Sequence, residues 1–151
     1  MSPKQRLQMV QRVTDEKERQ HARRLAQSRT RVAQCEAKLK ELQGYKAGYV
    51  RDFDARAAAG MRGANIREFQ AFLAKLAEAI RQQEELLEKA RCDSETERNH
   101  WQGAAQRSQI MDKVVESHAT KETKARDRRD QRESDDRGQR AAKGRLDSGG
   151  N

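Results

Sequence analysis

The residues best able to do chemistry are three histidines and two cysteines, and their spacing fits no catalytic or metal-binding motif. His21, His100 and His118 are far apart, and none has the HExxH spacing that places two zinc ligands on one helix. Cys35 and Cys92 form no CxxC pair. We therefore expect reduced thiols, no metal or cofactor, and no enzymatic activity.

A glycine pair in the middle of the chain resembles a phosphate-binding loop only superficially. Gly60 and Gly63 form a GxxG spacing, but no Lys-Ser/Thr follows it and no strand pattern precedes it. The pair therefore predicts a turn between helices, in which Gly60 takes the left-handed conformation that ends a helix.

The composition excludes an ordinary globular core. Of the 151 residues, 38% are charged, 34% are hydrophobic and 4% are aromatic, and the single proline is Pro3. Such a chain can still bury a narrow seam between long helices, which needs about two apolar residues in seven. No apolar run approaches the roughly 20 residues of a membrane span and no signal peptide is recognisable, so we expect a cytoplasmic protein.

A heptad pattern identifies the residues of this seam. In the second half, steps of three and four residues pass through sixteen positions from Ile66 to His118, and eleven of them are apolar. The same steps from Leu25 to Phe53 give seven apolar residues out of nine. Before Leu25 the pattern is less regular, and we interpret Leu7, Val10 and Val13 as a separate short stripe. A pattern kept over this length favours a coiled coil.

These patterns predict an all-α fold, an antiparallel two-helix coiled-coil hairpin with a disordered charged C-terminal tail. The hairpin occupies residues 1–118, with a helix from about 5 to 58, a turn over 59–65, and a helix from about 66 to 118 or slightly beyond. The arms pair about a centre near Met61. Residues 119–151 contain ten basic and seven acidic residues and almost no apolar ones, which indicates a mostly disordered tail.

Five of the six aromatic residues are close to the predicted turn, and two of them lie beside the seam rather than on it. Tyr45 and Phe72 are each one position off the heptad pattern, and we expect them on one side of the hairpin. Gly44 and Gly48 leave the surface beside the tyrosines without side chains. An exposed aromatic strip on a highly charged protein is typical of a protein-binding site.

The segment KLKELQGYKAGY, the turn AAG before NIREFQAFLAKLAEAIRQQ and the charged tail together resemble the FliJ family of flagellar export proteins. The resemblance extends over about residues 7–101. It implies an antiparallel coiled coil similar to the gamma stalk of rotary ATPases, in the cytoplasm and peripherally associated with the inner membrane. The implied partners are the flagellar export ATPase, the large membrane subunit of the export gate, and export chaperones.

The resemblance also assigns roles to individual residues. The strip that binds the export gate is expected to consist of Leu42, Tyr45, Tyr49, Phe72, Leu76 and Ala79. The terminal end of the hairpin is expected to enter the ATPase ring and to promote its assembly and activity. Its basic surface would face the ring through Arg12, Arg19, Arg23 and Arg24.

Two other interpretations remain open at this point. One is the corresponding stalk protein of a virulence-type secretion system. The other is a basic coiled coil that binds nucleic acid or acts as a scaffold, since the net charge is +9 and Lys4–Arg31 contains nine basic and three acidic residues. The nucleic-acid interpretation is disfavoured because this segment has no aromatic residue to stack on bases and its acidic residues interrupt a phosphate track.

Overall fold

The computed structural model describes residues 1–149, and two long α-helices contain almost all of them. Helix α1 extends over Pro3–Ala58 and helix α2 over Gly63–Ser148. The helices pack against each other in a hairpin, which confirms the all-α prediction. The chain forms two compact units, one of residues 17–104 and one in which residues 1–16 join the chain from Ala105 onward.

Helix α1 begins earlier than predicted because its first turn is capped. The backbone N–H of Gln5 donates to Ser2 Oγ at 3.2 Å, and the Ser2 N–H donates to Gln5 Oε1 at 3.0 Å. This reciprocal pair is a capping box, with Pro3 in the first helical position, where a missing N–H costs nothing. The helix therefore begins at Pro3 rather than near Gln5.

The connection between the helices is shorter than the predicted turn over residues 59–65. Gly60 has a φ of +96°, and its N–H donates to the Ala57 carbonyl at 3.2 Å, which ends α1 as expected. The N–H groups of Asn65 and Ile66 both donate to the Arg62 carbonyl, at 3.0 and 3.1 Å. Because Arg62 accepts the first bonds of α2, that helix begins at Gly63.

The unit of residues 17–104 has the predicted seam as its core. Every predicted seam position from Leu25 to Phe53 and from Ile66 to Ala104 is buried or half-buried. Burying a leucine or isoleucine contributes about 1.5–3 kcal/mol, so this seam stabilises the hairpin. The most buried side chains are Leu25, Ser28, Leu76, Ile80, Leu87 and Ala104.

Polar side chains reach across this unit and fix its alignment. Gln83 Nε2 donates to the Cys35 carbonyl at 3.2 Å, and Trp101 Nε1 donates to Glu18 Oε1 at 2.8 Å. Each contact joins two residues that are almost equally far from Met61 along the chain, in agreement with the predicted pairing centre.

In the other unit, the separate stripe of Leu7, Val10 and Val13 lies largely in solvent. Val10 is 49% exposed and Val13 is 50% exposed, whereas Leu7 is half-buried. The heptad steps from Leu7 pass through Gln11 and Thr14, which are half-buried polar residues.

Hydrogen bonds replace apolar packing in this unit. Ser108 Oγ donates to Asp15 Oδ1 at 2.6 Å, and Gln11 Nε2 donates to Asp112 Oδ1 at 2.8 Å. The carboxylate acceptors make both bonds stronger than neutral ones. The valines face outward because the polar side chains have partners on α2.

The predicted disorder after residue 118 is also wrong, because α2 continues to Ser148. A helix satisfies its own backbone without a core, and this segment has no proline to interrupt it. Contacts one turn apart support it, such as Arg137 Nη2 with Glu133 Oε2 at 3.8 Å. Residues 123–149 are exposed throughout. Positions 150 and 151 of the predicted tail lie outside the described residues.

Candidate protein-binding surface

An aromatic cluster joins the two helices beside the turn. The Tyr49 ring lies between two rings of α2, with its centroid 4.9 Å from that of Phe69 and 4.4 Å from that of Phe72. Phe53 packs on the other side of Phe69 at 5.2 Å, and the Arg56 guanidinium lies 5.7 Å from the Phe69 centroid. Such ring pairs stabilise a contact by about 0.5–1.5 kcal/mol beyond burial, so the cluster holds this part of the hairpin in place.

Two aromatic side chains of this region project into solvent. Tyr45 is 65% exposed and Phe72 is 39% exposed. Tyr49 connects them, because it contacts Phe72 and lines the same groove as Tyr45. We call Tyr45, Tyr49 and Phe72 the aromatic surface.

The groove beside the tyrosines is formed by missing side chains. It has a volume of about 530 Å³. A Cβ atom added at Gly44 or Gly48 would meet nothing within 4 Å, so the space above both glycines is open. Each glycine lowers the stability of helix α1 by about 1 kcal/mol relative to alanine. The absence of both side chains leaves the groove open. Its lining residues are Gly44, Tyr45, Gly48, Tyr49 and Asp52.

The structure divides the six residues predicted for the gate-binding strip into three groups. Tyr45 and Phe72 are exposed, as the strip requires. Leu76 is only 8% exposed and belongs to the interhelical core. The half-buried residues are Leu42, Tyr49 and Ala79.

Ion pairs on α2 set the charge near the end of this strip. Arg81 lies 2.6 Å from Glu78 Oε1 and 2.6 Å from Glu85 Oε1. The hydrogen bond from Arg81 lowers the pKa of Glu78, and the two carboxylates raise the pKa of Arg81. Glu78 therefore stays charged at neutral pH, and Glu78, Arg81 and Glu85 form a salt-bridge network near Ala79.

The four arginines predicted to face the ATPase ring are all exposed. Arg12 belongs to the unit that contains the chain's first residues, whereas Arg19, Arg23 and Arg24 belong to the unit of residues 17–104. All four are therefore accessible to an acidic partner.

The structure brings together three titratable residues that sequence analysis treated as unrelated. His21 of α1 lies beside Glu97 and His100 of α2, and a ligand atom from each lies within 4.8 Å of the others. This proximity could have been predicted from the pairing centre near Met61, which places position 21 opposite positions 100 and 101. His118 is not part of the cluster and lies 3.8 Å from Glu122.

The two cysteines are free thiols in different environments. Cys35 is half-buried on the seam, and Cys92 is exposed. Desolvation against the helix and the nearby Glu88 carboxylate raise the pKa of Cys92 above that of an ordinary thiol. A raised pKa favours the neutral thiol, which is a poor nucleophile.

Within residues 1–149, neither helix contains a segment long and apolar enough to cross a lipid bilayer. No curated protein and no solved structure matches the chain significantly. A family model described as the flagellar FliJ protein matches residues 3–146, nearly the whole chain. The match and the helical hairpin agree with the resemblance in the sequence, and the role of the protein is in flagellar protein export. The chain belongs to the flagellar FliJ protein family.

Proposed function

We propose that this protein is a non-enzymatic stalk and adaptor of the flagellar export apparatus. In this proposal the basic first part of α1 enters the ring of the export ATPase and promotes its assembly and activity. The aromatic surface binds the large membrane subunit of the export gate, and the protein also contacts export chaperones. It acts at the cytoplasmic face of the inner membrane.

The observation that carries the proposal is the exposure of Tyr45 and Phe72 beside an open groove. When a partner covers exposed aromatic side chains, their apolar surface is removed from water, which favours binding. Tyrosine is also enriched among the residues that dominate the binding energy of protein interfaces. Tyr49 is already fixed by Phe69 and Phe72, so little side-chain entropy is lost there on binding. Exposure and a low entropy cost therefore both favour the binding of a protein partner at the aromatic surface.

The charge of α1 supports the second contact. Lys4–Arg31 carries an excess of six positive charges, and Arg12, Arg19, Arg23 and Arg24 are exposed. A basic segment accelerates association with an acidic partner and makes the affinity dependent on salt. The two contacts are on different parts of α1 and can be tested separately.

The gate contact is tested by the binding of the purified protein to the cytoplasmic part of the gate subunit. Tyr45→Ala and Phe72→Ala should each weaken binding by about tenfold or more, since interface aromatics contribute about 2 kcal/mol or more. Leu86→Ala is the matched control, because Leu86 is 55% exposed in the same unit and lies outside the aromatic surface. If Tyr45→Ala and Phe72→Ala bind the gate subunit as tightly as Leu86→Ala does, the aromatic surface is not the gate contact.

The ATPase contact is tested by the rate of ATP hydrolysis with and without the protein. The unmodified protein should stimulate the ATPase, and the double variant Arg12→Glu/Arg24→Glu should lose that stimulation. Arg51→Glu, an exposed charge reversal near the turn, should not. If Arg51→Glu abolishes stimulation equally, the effect comes from net charge and the assignment to the first part of α1 is wrong.

A further inference from the structure

Two histidines and a glutamate form a compact group between α1 and α2 in the unit of residues 17–104. One ligand atom each from His21, Glu97 and His100 lies within 4.8 Å of the others. The two imidazole centroids are 5.9 Å apart, and His100 Nδ1 lies 4.0 Å from Glu97 Oε2. Residues from both helices therefore converge on one point.

The group contains two buried polar atoms that make no hydrogen bond within the described residues. These atoms are His21 Nδ1 and Glu97 Oε2. A buried polar atom without a hydrogen bond costs about 1–3 kcal/mol, and a charged one costs more. Glu97 is also at a seam position, where an apolar residue would stabilise the hairpin more. A ligand that bonds to both atoms would remove this cost.

We propose that His21, Glu97 and His100 bind one divalent transition-metal ion, with Zn²⁺ as the preferred ion. Two imidazole nitrogens and one carboxylate oxygen form a common ligand set for zinc, with water in the fourth position. Imidazole ligands favour Zn²⁺, Cu²⁺ and Ni²⁺, whereas Mg²⁺ and Ca²⁺ prefer sets of oxygen ligands only.

The geometry requires only a small contraction of the group. Ligand atoms at about 2.0–2.1 Å from a tetrahedral zinc ion are about 3.4 Å from one another. The His100 side chain is 56% exposed, so it can rotate towards the other two ligands and leave a path for the ion. The Glu97 side chain is 27% exposed and has less freedom.

A metal at this position would join the helices where their seam carries polar residues. Ser28 and Ser94 occupy neighbouring seam positions, and Ser28 Oγ donates to the Leu25 carbonyl of its own helix at 2.7 Å. The bound ion would act as a crosslink that stabilises α1 against α2.

The test uses the full chain with Cys35→Ser and Cys92→Ser, so that thiols do not compete for the metal. The metal-free protein is titrated with Zn²⁺ by calorimetry and with Co²⁺ by visible absorption, and its Tm is followed by circular dichroism. We expect one ion per chain and a Tm increase of about 5–10 °C at a hundredfold excess of free Zn²⁺ over Kd. Loss of a residue that only hydrogen-bonds to a metal ligand lowers metal affinity by about 10–100-fold. His21 is proposed as a direct ligand, so His21→Ala should weaken Zn²⁺ binding by more than about a hundredfold.

Two further variants make the result decisive. His118→Ala removes the histidine outside the group and should bind Zn²⁺ like the parent. Glu97→Gln keeps the side-chain shape and should bind weakly while remaining helical without metal, which excludes misfolding as the cause. Unchanged binding by His21→Ala, or no Tm increase with Zn²⁺, would overturn the proposal and show that any binding is adventitious.

Discussion

Alanine variants of Leu76 and Tyr45 separate packing from partner binding at the aromatic surface. Leu76 is 8% exposed, and replacing a buried leucine by alanine costs about 2–5 kcal/mol. In a two-helix seam the resulting cavity is open to water at its sides, so we expect the lower half of this range, about 2–3 kcal/mol. For a chain of this size 1 kcal/mol corresponds to about 2–4 °C, so Leu76→Ala should lower Tm by about 5–10 °C.

Tyr45 should behave differently because 65% of it is already in water. Tyr45→Ala removes little buried area and introduces a better helix-forming residue, so the free energy of unfolding should change by about 0.5 kcal/mol or less. Thermal unfolding followed by circular dichroism measures both variants, and binding to the gate subunit is measured well below either Tm.

The two variants together can refute this interpretation. We expect Leu76→Ala to lose stability and to retain binding at low temperature, and Tyr45→Ala to show the reverse. If Tyr45→Ala lowers Tm as much as Leu76→Ala does, Tyr45 is a packing residue. If Leu76→Ala is stable but does not bind, Leu76 contacts the partner and its position in the core is wrong.

Three further predictions concern the turn, the end of α2 and a thiol. Gly60→Ala should lower the free energy of unfolding by about 1–2 kcal/mol because of its φ of +96°, whereas Gly63→Ala, with open space around its Cβ, should raise it by up to about 1 kcal/mol. Urea unfolding measures the free energy of unfolding of both variants. Equal changes would show that the positive φ of Gly60 does not determine the effect. Truncation after Glu122 should change Tm by less than about 2 °C and reduce the helical circular dichroism signal, because residues 123–149 are exposed. A large decrease in Tm would show that they pack. Cys92 should react with iodoacetamide more slowly than free cysteine, and faster in Glu88→Gln, because partial desolvation and the Glu88 carboxylate raise its pKa and leave less thiolate. Unchanged rates would refute this cause.

The fold was largely predictable because a two-helix core depends on a single repeating pattern. A residue at each heptad position faces the other helix, so the steps from Leu25 and from Ile66 located the seam without tertiary information. At Val10 and Val13 apolar character alone is a poor guide to burial. Gln11 occupies the seam position there because Asp112 on the other helix accepts its hydrogen bond. The sequence of one helix alone does not reveal that partner.

The end of α2 could not be predicted from the absence of a core. Low hydrophobicity shows that a segment buries little surface, but a helix can form without burial when its residues favour helix and its charges alternate in sign. Glu133 and Arg137 illustrate this, since they pair one turn apart while remaining exposed.

The candidate site was predictable only where exposure follows from position in the heptad. Tyr45 and Phe72 lie off the seam and are exposed, as expected. Leu76 lies on the seam, and including it in a partner-binding strip conflicted with its own heptad position. The proximity of His21 to His100 depends on which residues of the two helices are opposite each other, so spacing along the chain did not reveal it.

The composition of the seam changes along the unit of residues 17–104, and this change bears on partner binding. Near the turn, Tyr49 and Phe69 pack by ring contacts, whereas Ser28, Ser94 and Glu97 occupy the seam farther from it. The aromatic surface therefore lies on the part of the hairpin that ring contacts hold together. A partner that binds there would meet a Tyr49 ring already held by Phe69 and Phe72, which lowers the entropy cost of binding. The polar part of the seam, where local opening costs less free energy, is therefore the part whose stability a bound metal ion would change most.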